Sequence, residues 1–530
     1  TRSRRFLSLA GRALAVAVHA TPPASRTPGP SAGHGARLDA MRPSARTAIR
    51  AAVPVIVPAA VVLVGAATLI AYSVNQWRSM QVPSWDLAIF SELAKDYAHF
   101  QAPIVPIKGE GFNLLGDHFH PILVLLGPVW RLFPTPLALL VVQDVLLAVS
   151  AWPITRLAMR TLTSWAGGAL GLFYVLSWGF QGAVSAQFHE IAFAVPMLAW
   201  ASVAFVERRW RACALWLAPL VLVKEDLGLT ILMAGLAIAL RGLQERREDR
   251  AAPTTLLGLG LTLYGLFAFL ITVLLILPAL SPSGAWEYGI GGNAADGTAA
   301  AQASAGLLAR LFSPQIKLIT LGVLACTAGL IGLASPWMAL VLPTLAWRFL
   351  SAKEFYWDWA NWHYNAILMP IAVGALLDVL TRLRTDREGK TLTWPDTPIL
   401  ARGIAIIGVA VPLVLAVRTA DDLPLLRTSE PIWRTGAARA AAAQQVIDTV
   451  EAGTTVKTDL GLLAYLVPKT TVYWVGTSSA DTDYVIIDSY FWGGNPPRDA
   501  AAWATGQSET GAVYELVLDT GGYQVAKRVR

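Results

Sequence analysis

Apolar and polar positions alternate along this chain in blocks rather than in faces. Eleven apolar stretches run at roughly 51–73, 137–158, 165–183, 191–206, 212–223, 227–241, 254–278, 316–333, 335–350, 363–381 and 400–418. A helix crosses a bilayer with about 20 apolar residues. The pattern therefore predicts an α-helical polytopic membrane protein of about 11 transmembrane helices. The block at 119–133 is shorter and carries Pro121, Pro128 and Arg131, so it reads as an amphipathic helix lying on the surface. Between 212 and 241 the apolar run is interrupted by Lys224-Glu225-Asp226. Two helices of 12 and 15 residues there extend about 18 and 22 Å, short of a hydrocarbon core of ~30 Å. Ionised groups are expensive in lipid, so the turn between them is expected to open into a water-filled cavity. A charge cluster in an ordinary loop is the plainer alternative.

After about residue 420 the pattern changes. Ala437–Val450 has a helical period, and a short apolar helix follows near Leu460–Leu466. Thr455–Thr458, Val472–Val475, Tyr484–Asp488 and a final pair, Ala512–Asp519 and Tyr523–Val529, read as strands. This predicts a transmembrane domain over 41–419, with a first loop at 74–136, and a small α/β domain over 420–530. Residues 1–40 are rich in Arg, Ala, Pro and Gly and precede Met41. They are expected to be disordered or to lie upstream of the true start. A targeting segment is the rival, but Arg12 breaks the apolar run after Phe6.

Composition sharpens the membrane reading. Hydrophobic residues make up 55% and charged residues 15%, against about a quarter charged in soluble domains. The net charge of +7 sits in short loops, which is how membrane orientation is written, rather than along a groove tracking phosphates; no nucleic-acid partner is expected. Arg42, Arg46 and Arg50 are expected to place the N-terminus on the cytoplasmic side of the membrane. Arg156 and Arg160, the run Glu207–Arg211, Arg241–Arg250 and Arg382–Lys390 then fall on the same face. Parity puts the C-terminal domain outside the cytoplasm. Cys213 and Cys326 both lie in apolar segments, which excludes a disulfide framework and a Cys-rich metal site.

The opposite loops collect the chemistry. The first holds Asp86, Glu92, Asp96, Glu110 and Gly116-Asp117-His118-Phe119-His120-Pro121; later ones hold His189-Glu190, Lys224-Glu225-Asp226, Trp286-Glu287-Tyr288 and Lys353–Asp358 running to His363. Four of seven histidines, at 118, 120, 189 and 363, stand at predicted helix ends on this face. Carboxylates there suit general-base work, and interleaved aromatics suit a sugar ring or an isoprenoid chain. Lys224, Arg348 and Lys353 are placed to neutralise a phosphate. Each has a plainer reading: Asp86 as a helix cap, Asp117, His118 and His120 as capping and packing, His189-Glu190 as a satisfied pair, Tyr356-Trp357-Asp358-Trp359 as an aromatic belt. The histidine and carboxylate inventory permits a divalent cation, although its ligands would have to come from separate loops.

The run from Trp85-Asp86-Leu87-Ala88-Ile89-Phe90 through Gly116–Pro121, with Gln143, Pro153, Phe188-His189-Glu190, Lys224-Glu225-Asp226 and Trp362-His363-Tyr364, resembles a domain-of-unknown-function family of predicted bacterial membrane proteins. The resemblance covers about 80–490. That family in turn resembles the GT-C class of membrane glycosyltransferases. In that class a first transmembrane helix leads into a long extracytoplasmic loop, with an acidic residue near its start and a His-Pro-containing juxtamembrane helix. The resemblance implies that Asp86 is the catalytic carboxylate and that His120-Pro121 opens the juxtamembrane helix. It implies transfer of a sugar from a polyprenyl-phosphate donor to a cell-envelope glycan or lipid acceptor. One departure stands out: the expected Asp-Glu pair is Asp86-Leu87 here, so the second carboxylate would have to be Glu92 or come from another loop, with Asp117 a further catalytic candidate. His118, His120, His189, Glu190, Glu225, Asp226 and His363 are the candidates to orient donor or acceptor. A transporter or lipid flippase, and a non-catalytic envelope assembly protein, are the alternatives.

Overall fold

The long apolar blocks become long helices because neither water nor lipid offers their backbone groups a better partner than their own helical carbonyls. In the computed structural model, six helices are long and apolar enough to cross a membrane among the described residues: Ala52–Ser79, Pro136–Thr161, Leu227–Gln244, Ala252–Leu280, His363–Leu383 and Ile399–Asp422. The structure describes residues 45–80, 85–244, 251–286, 306–386, 389–427, 437–492 and 494–530. The expectations for residues 1–40, for Glu287-Tyr288 and for most of the Arg241–Arg250 loop lie outside them. The chain divides into residues 1–52, described only from Ala45, and one unit from Val53 to Arg530.

Burial sorts the six. The most apolar window of His363–Leu383 is 78% buried, so this helix is central. The same measure is 17% for Ala252–Leu280 and for Ile399–Asp422, and 22% for Ala52–Ser79, which are peripheral. Leu227–Gln244 and Ala251–Ile271 pack closely along glycines seven residues apart. A Cβ on Gly235 would meet Thr262 N at 2.5 Å, and one on Gly265 would meet Gly228 O at 2.4 Å. Small residues of this kind let membrane helices approach backbone to backbone.

The count of eleven full spans is not met by length. Helix lies in all eleven predicted segments, but five are short or broken. Segment 165–183 breaks between Ser164–Val175 and Trp178–Ser185, where Ser177 opens a new turn. Segments 191–206, 212–223 and 335–350 each join a 3₁₀ turn to a short α-helix, and 316–333 is α-helical only over Gln315–Thr327. Of the pair around Lys224, the second helix is longer than predicted, 18 residues over Leu227–Gln244. It runs through Arg241, whose guanidinium is satisfied by Asp378 of the central helix. Block 119–133 is a 3₁₀ turn, Pro121–Leu125, continued by a helix, Leu126–Leu132. It buries Leu123, Leu126 and Trp130 and exposes Val124, Leu125 and Leu132, so both its faces are apolar.

The C-terminal region forms one five-stranded sheet: β1 Thr455–Thr458, β2 Thr471–Trp474, β3 Tyr484–Asp488, β4 Tyr514–Thr520 and β5 Tyr523–Arg528, in the order β2-β1-β3-β5-β4. The first three are parallel, with Val456 opposite Val472 and Lys457 opposite Val485. β5 runs antiparallel to β3 and β4. β3, central in the sheet, is buried at every position, as a strand covered on both faces must be. The β4–β5 turn is Gly521-Gly522, both at positive φ, as a two-residue hairpin requires. The sheet docks onto the membrane helices' end: Tyr465 Oη donates to Trp77 O at 2.8 Å, and Trp85 meets Trp474 edge to face at 4.7 Å.

Candidate functional site

Three helical starts meet the start of the central helix, and each of the four delivers a histidine or a carboxylate. Asp86 lies in the first turn of Trp85–Ala98. His120 precedes the turn at Pro121–Leu125, His189 precedes Glu190–Phe193, and His363 opens His363–Asn365. Gln187 and Trp362, just upstream of two of these histidines, have φ of 70° and 66°. Non-glycine residues hold such angles at a cost of about 1–3 kcal/mol each, and strain of this kind collects at functional sites.

His189 and His363 stack with ring centroids 3.5 Å apart. His189 Nδ1 lies 3.2 Å from Gln187 O, and its Nε2 faces Asp86 Oδ2 at 3.4 Å. Gln143, in the apolar Pro136–Val149 helix, holds the strained loop: its Oε1 accepts from His189 N at 3.0 Å and its Nε2 donates to Gln187 O at 2.9 Å. Phe90 sits between His120 and His189, edge-on to both.

The turn 224–226 supplies the charges. Lys224 Nζ donates to Glu190 Oε1 at 2.9 Å. Glu225 accepts from Phe119 N at 3.1 Å and lies 2.7 Å from His118 Nδ1. Trp347 Nε1 donates to Asp226 Oδ2 at 3.1 Å. Burial disfavours every charge here, and partners decide the outcome. For Lys224 the loss is outweighed by Glu190, Asp226 and Glu225, so its ammonium is held above the ordinary lysine range. For His118 burial and Lys224 are outweighed by Glu225, which raises the imidazole and in turn is lowered by it. Asp226 is pushed up to about 6, mainly by burial. His120 is pushed down to about 4, again by burial.

The structure thus brings together Asp86, His118, His120, His189, Glu190, Lys224, Glu225, Asp226 and His363. At the turn lies a small pocket, lined by Ile191, Lys224, Asp226, Thr344, Trp347, His363, Tyr364 and Ile367. Other candidates point elsewhere. Glu92 turns away from the histidines and accepts from Val472 N of β2 at 3.1 Å; burial pushes its carboxyl up to about 8. Asp117 pairs with Lys108 at 3.1 Å. Arg348 is fully buried and commits its nitrogens to Tyr356 O, Asp358 O and Asn365 Oδ1. Lys353 is exposed, 5.5 Å from the Tyr356 ring. Among the described residues, no group of three or more His, Cys, Asp or Glu side chains is arranged to hold a metal ion. Sequence reasoning gave no role to Gln143, Trp347 or Lys108. Only Gln143 carried a signal, as an amide amid Leu and Val.

Fold and site define a multi-pass membrane protein with a carboxylate–histidine cluster at its helix ends. A family profile described as "Predicted membrane protein (DUF2079)" matches residues 76–528, and the chain belongs to that family. This agrees with the family resemblance read from Trp85–Phe90 and Gly116–Pro121. Among solved structures, the chain is similar to ArnT from Cupriavidus metallidurans bound to undecaprenyl phosphate, at 13% identity and a TM-score of 0.43, covering 89% of this chain and 97% of that one. A likeness at that level carries no argument about fold or activity. No curated protein matches the chain.

Proposed function

We propose that this protein is a membrane glycosyltransferase that moves a sugar from a polyprenyl-phosphate donor to an extracytoplasmic cell-envelope acceptor. The observation that carries the reading is the state of Asp86. Its side chain keeps 35% of its surface exposed, against 3% for Glu190 and 2% for Glu225, and its carboxylate faces His189 Nε2. It opens a helix that follows the first membrane helix, and His120-Pro121 opens a later helical turn, beyond the short one at Leu114–Gly116, which is the order the GT-C resemblance calls for.

In this reading Asp86 takes the proton of an acceptor hydroxyl. The acceptor oxygen forms the new bond to the anomeric carbon while the bond from that carbon to the phosphate oxygen breaks. The electron pair leaves with polyprenyl phosphate in a single displacement. His189, held by Gln143 and stacked on His363, orients Asp86 and the reacting groups. The test is genetic. A strain lacking the protein should lose one class of envelope sugar linkage, regained with the wild type and not with Asp86→Asn. Restoration by Asp86→Asn, but not by a chain lacking 420–530, would instead favour an assembly protein.

A further inference from the structure

Several buried or half-buried cations of this protein meet carboxylates: Lys224 meets Glu190, Arg241 meets Asp378, and Arg439 meets Asp488. Around residues 349–358 three others lie together without such a partner among the described residues. Lys317 is fully buried, and its Nζ donates to the backbone carbonyls of Arg310 at 2.6 Å and Phe349 at 2.9 Å, with the Trp357 ring centroid 4.0 Å away. Arg310 is half-buried; its Nη2 donates to Leu350 O at 2.8 Å, and its buried Nε has no acceptor. Arg348, behind them, donates only to two carbonyls and to Asn365. Asp358, in the same loop, commits its carboxylate to Ala360 N at 2.9 Å and Asn361 Nδ2 at 2.6 Å.

Carbonyl dipoles offset only part of what it costs to take a cation out of water. Two neighbouring cations that share one stretch of backbone and, among the described residues, no acid leave room for an anion of more than one charge. A phosphate supplies it, and an arginine edge matches phosphate oxygens in geometry. The loop they hold is the one that reaches the site: Arg348 is bonded to Asn365, two residues beyond His363, and lies 6.0 Å from the Tyr364 ring centroid.

We propose that Arg310 and Lys317, backed by Arg348, form a binding subsite for the phosphate of the lipid-linked donor, an assignment that rests on the glycosyl-transfer reading above. The half-buried Arg310 guanidinium is the direct donor, and Lys317 supplies charge behind it. The test is equilibrium binding of radiolabelled decaprenyl phosphate to the detergent-solubilised full chain. Phosphatidylglycerol and inorganic phosphate serve as competitors. Wild type should bind saturably, and Arg310→Gln at least tenfold more weakly, while Lys390→Gln, an exposed cation elsewhere, binds as wild type does. Lys317→Met should weaken binding similarly; Arg310→Gln, on a half-buried side chain, keeps the test valid if that variant fails to fold. Competition by inorganic phosphate or by phosphatidylglycerol at equal concentration would overturn the lipid donor as occupant. Normal binding by Arg310→Gln would overturn the subsite. Should Arg310→Gln lose binding in a protein that transfers no sugar, the subsite stands and the transferase reading falls. Should sugar be transferred and Arg310→Gln bind normally, the subsite alone falls.

Discussion

Gln143 sits where an amide has no water to bond, inside an apolar helix, and both its ends are taken by the loop that carries His189. Gln143→Leu would leave His189 N unsatisfied in the core, at a cost of about 1–3 kcal/mol, and Gln187 O with His189 Nδ1 alone. The strained loop would then relax and move His189 away from Asp86. A lower melting temperature together with a fall in sugar transfer larger than the loss of folded protein is the expected result. Glu92 makes a different prediction. Its ordinary value is 4.5 and its folded value about 8, so between these the folded chain holds a proton that the unfolded chain has released. Stability should therefore fall as pH rises through that window. Glu92→Gln, which keeps the acceptor for Val472 N, should flatten that fall in melting temperature, and an unchanged slope would count against it. At this scale the sequence showed which residue types matter but not their partners. Glu92 and Asp117 look like Asp86 in a loop, and only folding reveals that one faces a strand and the other a lysine.

Helices and strands were legible to different degrees, for a physical reason. All five strands lie within two residues of where alternation and turn residues placed them, because a short strand between glycines and polar turns has little room to shift. The membrane segments were found but their breaks were not. A run such as 165–183 holds only Ser177 and Gln181 as polar residues, too few for its hydropathy to mark the interruption before Trp178, whose indole instead reaches Thr327 Oγ1 at 2.8 Å. Glycine spacing was a signal left unread: Gly228 and Gly235 face Gly258 and Gly265. Gly235→Val should destabilise the protein by at least about 1–3 kcal/mol through overpacking against a neighbouring backbone. Gly260→Ala, with nothing within 4 Å of the added carbon, should be neutral. Thermal melts of both in detergent distinguish a packed seam from a lipid-facing one.

For the whole molecule, the claim at stake is that the cluster and the C-terminal sheet lie on the extracytoplasmic side. Single cysteines at Ser283, Glu354 and Ser489, in a background lacking Cys213 and Cys326, should react only with a reagent added outside, and one at Lys390 only from inside. A split among the first three would scatter the site across the membrane. The most direct measurement is release of polyprenyl phosphate from a polyprenyl-phosphate sugar by the purified protein in nanodiscs, with an envelope acceptor fraction supplied. Wild type should release it with matching sugar transfer, and Asp86→Asn should be slower by about 10²-fold or more, the usual worth of a general base, while melting as wild type does. An Asp86→Asn protein as fast as wild type would contradict the assignment.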